Sequence, residues 1–149
     1  EVLGREDGAP PPVDLKLEKK PGDFVRGLIE GGELTVVHDL SDGGLIGAAA
    51  DLVLASDVGV TLGVQGDIAD HAFFFGEDQA RYLVAVSSEQ LDTLDAKFNA
   101  AGIEYLVIGE AGGDAFAANG SDGPLFSIPV AHLREWHEGW MPGWLGDAA

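Results

Sequence analysis

Two short segments carry the residues best suited to chemistry. The first is Asp39-Leu40-Ser41-Asp42-Gly43-Gly44-Leu45, which follows an apolar run and opens onto a helical repeat. Ligands in α/β folds gather at such strand-to-helix junctions. Gly43 and Gly44 allow a ligand close to the backbone, and N–H groups of a first helical turn lack intrahelical partners and face the positive end of the dipole. The carboxylates of Asp39 and Asp42 can accept from a sugar hydroxyl or an amine, or hold the water shell of a Mg²⁺ ion. Ser41 or Asp42 can also cap the helix, so a tight turn with no ligand is the plain alternative. No Gly-Lys-Ser/Thr follows, which excludes a P-loop, and Ala50 stands where an EF-hand requires its Glu.

The second segment is Phe73 to Arg81, FFFGEDQAR. Three Phe side chains ask for a core. Glu77, Gln79 and Arg81 then face either one another or a polar ligand, and a guanidinium suits a phosphate. Trp136, Trp140 and Trp144 recur every four residues near the end of the chain, the spacing of one helix face that docks on the fold or on another domain. His132 and His137 lack the HExxH spacing of a zinc site, His38 precedes the candidate turn, and His71 has no evident partner. No residue is assigned a catalytic or metal-ligating role.

The elements that must position these segments follow from periodicity. Phe24, Val25, Leu28 and Ile29 predict a helix after Pro21, ended by Gly31-Gly32. Leu34–Val37 reads as a buried strand. Leu45, Ala48, Ala49, Leu52 and Val53 repeat at helical spacing. Val58–Val64 is a second strand, and residues 66–80 read as irregular, with at most a short helical turn from Ile68 to Phe74. Arg81–Val86 is a third strand. Ser87 with Gln90 forms a capping box for a helix through Leu91, Leu94 and Phe98 that ends at Gly102. Ile103–Ile108 reads as a fourth strand. A hairpin is expected around Asn119-Gly120, and a last helix runs from Pro129 and breaks near Pro142. Residues 1–13, with Pro10-Pro11-Pro12, read as an extended leader. The sum is one α/β domain over residues 1–149, with five or six strands and four helices.

Composition narrows the function. Apolar residues make up 46% and charged residues 23%, typical of a folded globular chain. Eight basic residues against 26 acidic ones leave a net charge of −18, which argues against nucleic acid or an anionic membrane as partner. No Cys is present, so disulfides and thiolate metal sites are excluded, and a cytoplasmic setting fits. No signal peptide or membrane span is visible.

In combination the motifs resemble the C-terminal end of the phosphoribosylformylglycinamidine synthase family, within the aminoimidazole-ribonucleotide-synthetase-like superfamily. The resembling pieces are, in order, GAPPPVDL, GDFVRGLI, VVHDLSDGGLIGAAADL, FFFGEDQARYLVAV, IGEAGGDAF and VAHLREWHEGWMPGWL. They cover nearly the whole chain. DLSDGGL alone is weak evidence, and its pairing with FGEDQAR and the Trp-rich ending is specific.

The resemblance implies an α/β/α layered domain with a mixed sheet and partial ferredoxin-like topology. It implies a role in an ATP- and Mg²⁺-dependent ligase that converts formylglycinamide ribonucleotide and ammonia into the formylglycinamidine ribonucleotide. ATP activates the amide oxygen as an iminophosphate, and ammonia displaces phosphate. The family's partners are the other domains of the same subunit, a glutaminase subunit and a small bridging subunit. Asp39, Ser41, Asp42, Gly43, Gly44, Glu77, Gln79 and Arg81 carry over as residues lining a ligand or nucleotide site. They serve either the reacting site or a pseudosymmetric structural one. The family's catalytic His, its Lys and its Mg²⁺ ligands lie upstream and have no counterpart in these 149 residues. The chain is therefore expected to be a fragment, inactive alone, whose first strand should precede residue 1 and whose open sheet edge could pair two copies. The alternative is a stand-alone interaction module that oligomerises through the Trp face.

Overall fold

The computed structural model describes residues 13–146, and the expected leader over residues 1–13 lies outside them except for Val13. The chain alternates helices and strands in the order α1 (Leu15–Glu30), β1 (Val36–Asp39), α2 (Gly44–Ser56), β2 (Val60–Gly63), α3 (Asp70–Phe75), β3 (Tyr82–Ala85), α4 (Ser88–Ala101), β4 (Gly109–Ala111), β5 (Ala115–Gly120), β6 (Gly123–Pro129) and α5 (Val130–Leu145). This is the expected mixed α/β class. Its strands fall into two sheets.

β1 and β3 form an antiparallel pair, with Asp39 opposite Tyr82 and Val37 opposite Val84. The larger sheet has the order β4-β2-β5-β6 and is mixed, since β2 runs parallel to β5 while the other two pairings are antiparallel. Helix α2 lies between the two sheets. Its Leu45, Ala48, Ala49 and Val53 pack with Leu62, Phe116 and Ala118 of the larger sheet and with Phe73 and Phe74 of α3, and Leu83 of β3 joins this cluster. On the other side of the β1–β3 pair, Val37 and Val84 pack with Val25 and Leu28 of α1 and with Leu94 and Phe98 of α4 in a second cluster. The small Ala48 and Ala49 let the helix sit close to the larger sheet, and the aromatic side chains fill the remaining volume.

Local chemistry explains most boundaries. The capping box at α4 forms as expected: Gln90 N donates to Ser87 Oγ, and Ser87 N donates to Gln90 Oε1. Four expectations need correction. First, α1 begins at Leu15, six residues before Pro21, because the Asp14 carboxylate accepts from the N–H groups of Lys16 and Leu17 and nucleates the helix there. Pro21 is carried inside the helix at the loss of one backbone bond. Second, Ile103–Ile108 is an irregular connection, and the fourth strand is the short exposed Gly109–Ala111, paired to β2. Third, the hairpin turns at Ser121-Asp122, with an irregularity between Ala118 and Asn119. Asp70 of α3 accepts from both Ser121 N and Ser121 Oγ and holds that turn. Fourth, α5 continues through Pro142 to Leu145. That makes five helices among the described residues, one more than expected.

Arg134 fastens α5 to the body of the fold. Its Nε donates to Asp57 Oδ1 at 3.1 Å, its Nη2 donates to the Leu54 carbonyl, and its Nη1 donates to Glu138 Oε1 at 2.7 Å. The hydrogen bond to Glu138, then that to Asp57, raises the guanidinium pKa further above its ordinary value.

Candidate functional site

The β1–β3 ladder sets the two candidate segments side by side. Asp39 ends β1, and Leu40 N donates to the Arg81 carbonyl at 3.0 Å, just before β3 begins. The chain then turns through Ser41 and Asp42 into α2. Gly43, with φ of 81°, precedes α2, and Gly44, with φ of 61°, opens it. Both lie in the left-handed region that favours glycine. A Cβ at Gly44 would sit 2.8 Å from the Gly76 carbonyl oxygen and 2.8 Å from the Phe75 carbonyl carbon. Only glycine lets the start of α2 press against the α3 end of the FGEDQAR segment.

One hydrogen bond closes the contact. Gly43 N donates to Glu77 Oε1 at 2.9 Å, across 34 residues of sequence. Gly44 N donates to the Ser41 carbonyl at 2.9 Å. The two glycine N–H groups expected to await a ligand are therefore already satisfied within the protein. Neither Ser41 nor Asp42 caps α2, and the Glu77 carboxylate takes the position at its positive end. Among the described residues, the Ser41 hydroxyl and the Asp42 carboxylate have no protein partner, and both are exposed.

The remaining candidates separate. Arg81 is partly buried and turned back on its own loop, with Nη1 donating to the Gly76 carbonyl at 3.3 Å and lying 3.7 Å from Asp78 Oδ2. The Gln79 amide end lies 2.7 and 2.9 Å from the two carboxylate oxygens of Glu18 in α1, a setting that suits its nitrogen as the donor. Ala80 between them has φ of 58°, a strained setting for a residue with a Cβ.

Gln79, Ala80 and Tyr82 line an open groove of about 470 Å³ against Glu18, Lys19 and Arg26 of α1. A second hollow of about 430 Å³ shares Gly22, Arg26 and Tyr82 and reaches His38 and Asp39. Asp39 and Gln79 thus look into the α1 side, while Ser41, Asp42, Gly43 and Glu77 sit at the start of α2. In the groove, the Lys19 ammonium hydrogen-bonded to Asp23 lowers that carboxyl's pKa. His38 Nε2 lies 3.4 Å from Asp51 Oδ2 of α2. The sequence reading passed over Glu18, Arg26 and Tyr82, for which spacing offers no signal. No group of three His, Asp or Glu side chains among the described residues converges to hold a metal ion.

The family model described as AIR synthase related protein, C-terminal domain, matches residues 1–118. The chain belongs to this family. Relatives of this AIR synthase related domain carry the same name in several bacteria. The phosphoribosylformylglycinamidine synthase subunit PurL of Caulobacter vibrioides is 55% identical over 145 residues, covering 97% of this chain and 19% of the relative. The PurL subunit of Rhodospirillum rubrum is 50% identical over the same shares. The chain therefore spans 19% of the length of these curated relatives. Among solved structures, Thermotoga maritima PurL complexed with FGAR superposes with a TM-score of 0.73 at 18% identity, over 89% of this chain and 23% of that one. The structure titled PurLQS from Thermotoga maritima gives a TM-score of 0.70 at 19% identity. These superpositions establish the fold. The family model ends inside β5, so β6 and α5 lie beyond it, whereas the 145 residues aligned with PurL cover nearly the whole chain.

Proposed function

We propose that this chain is the C-terminal ligand-cleft domain of a PurL-type phosphoribosylformylglycinamidine synthase. In that enzyme, formylglycinamide ribonucleotide, ATP and ammonia become the formylglycinamidine ribonucleotide, ADP and phosphate. The observation that carries the reading is the bond from Gly43 N to Glu77, which joins two motif segments of an AIR synthase related domain into one polar surface. The domain's task is to form one wall of the cleft. Asp42 and Ser41 offer exposed acceptors to a ribose or amide group, and Arg81 braces the loop beside them.

ATP and Mg²⁺ do not fit this chain alone. The glycine N–H groups are occupied, and no carboxylate cluster is present among the described residues. The reacting groups are assigned to the remainder of the subunit, and ammonia to a glutaminase subunit joined through a small bridging subunit. That a structure titled PurLQS shares this fold supports the assembly. One domain over residues 1–149 and a cytoplasmic setting are part of the same reading. No helix of the described residues is long and apolar enough to cross a membrane.

The test is made in the intact synthase. Asp42→Ala is expected to lower kcat/KM by tenfold or more, a loss of about 1.4 kcal/mol of transition-state stabilisation, with an unchanged melting temperature. The isolated chain is expected to have no synthase activity. Wild-type kinetics in both Asp42→Ala and Arg81→Ala would refute the assignment.

A further inference from the structure

The peptide group between Asp42 and Gly43 is held at both ends. Its N–H donates to Glu77 Oε1 at 2.9 Å. Its carbonyl lies over the first turn of α2, where a Cβ at Gly47 would stand 2.6 Å from the Asp42 oxygen. A peptide group is planar, so fixing both ends orients the whole unit, and with it the backbone of Asp42. The Asp42 carboxylate itself is exposed and bonds no protein group among the described residues. Its direction therefore rests on the backbone that Glu77 holds.

Glu77 stands on a rigid support. It follows α3, whose Phe73 and Phe74 are buried in the main core. Gly76 N donates to the Ala72 carbonyl at 3.0 Å, and the Gly76 carbonyl accepts from Arg81 Nη1 at 3.3 Å. That carbonyl also presses on Gly44, 2.8 Å from where a Cβ would be. The loop thus meets the turn at two adjacent points, Gly76 on Gly44 and Glu77 on Gly43. A local N-cap would bond Ser41 or Asp42 to the helix and remove it as an acceptor, whereas a cap from 34 residues away leaves both free. We infer that Glu77 is a positioning residue for the synthase reaction: it aims the Asp42 carboxylate into the cleft through their shared peptide and does not itself touch the substrate. The inference rests on the reading of Asp42 as a group that accepts from a ribose hydroxyl or an amide.

The test is made in the intact synthase, at a temperature well below the melting of every variant. A positioning hydrogen bond needs an acceptor at the right reach and no charge. Glu77→Gln keeps acceptor and reach, so kcat/KM should stay within about twofold of wild type. Glu77→Asp keeps the charge but is one methylene shorter, and Glu77→Ala removes the group. Each should lower kcat/KM by about tenfold, the order expected for a misplaced binding group. Because Glu77 acts through Asp42, the double variant Asp42→Ala with Glu77→Ala should be no worse than Asp42→Ala alone. Losses that multiply in the double variant overturn the inference, as a merely structural role or a separate substrate contact would multiply them. An active Glu77→Asp beside an impaired Glu77→Gln overturns it in favour of a charge facing the ligand. Wild-type kinetics in both Glu77→Ala and Glu77→Asp overturn it as well. A silent Asp42→Ala also ends the inference, while the synthase reading then turns on Arg81→Ala, so the two failures are told apart.

Discussion

Glu77 was a candidate ligand-binding residue by its neighbours, and it spends its carboxylate on the backbone of another segment. This gives it the energetics of a helix cap supplied from a distance. Glu77→Ala should destabilise the chain by about 0.5–2 kcal/mol, the range for loss of a cap, while Glu77→Gln keeps an acceptor and should recover most of that loss. Urea titrations of the two variants check the order. Gly44→Ala is expected to be worse, because its Cβ meets backbone at 2.8 Å and its φ is 61°. A loss of about 2–4 kcal/mol is expected there, combining steric overlap with left-handed strain. Ala80 shows the opposite case. At φ of 58° its Cβ is a burden, so Ala80→Gly should stabilise the chain by up to about 1 kcal/mol after the added freedom of the unfolded chain is subtracted. Gly43 and Gly44 were legible as a special turn. Their partner was not, because a bond across 34 residues leaves no local pattern.

At the scale of elements, legibility followed the range of the interactions. The α4 capping box and the αL glycine at Gly102 are local, and both stood where the sequence placed them. The start of α1 was displaced because Asp14 caps earlier than the apolar stripe begins, and Pro21 read as a boundary is tolerated within the helix. β4 was misplaced because an exposed three-residue edge strand has no alternation to detect, while the apolar run before it stays irregular. The hairpin owes its turn partly to α3: Asp70 takes two donors from Ser121, and a Cβ at Gly120 would overlap the Asp70 carboxylate. Asp70→Ala should therefore cost about 1–3 kcal/mol, the range for losing bonds to a charged acceptor. In amide exchange, residues of β5 and β6 near the turn should lose protection, and those of α4 should not.

The whole molecule is two packed clusters wrapped in an acidic surface, and that surface sets how stability responds to salt. With 26 acidic residues against 8 basic ones, compaction brings like charges together throughout the chain. The ion pairs that oppose this, such as Lys19–Asp23 and Lys97–Glu33, lie at exposed or partly exposed positions where solvent weakens them. Screening weakens both kinds of interaction, and there are far more repulsions than pairs. At neutral pH, raising sodium chloride from tens to hundreds of millimolar should therefore raise the melting temperature, as the Debye length falls below about 10 Å. Glu110, Asp114 and Asp122 are exposed carboxylates with no cation paired to them among the described residues. Replacing all three by Gln or Asn should reproduce part of that rise without salt and flatten the salt dependence. A melting temperature that falls on adding salt would show that the few ion pairs outweigh the net charge.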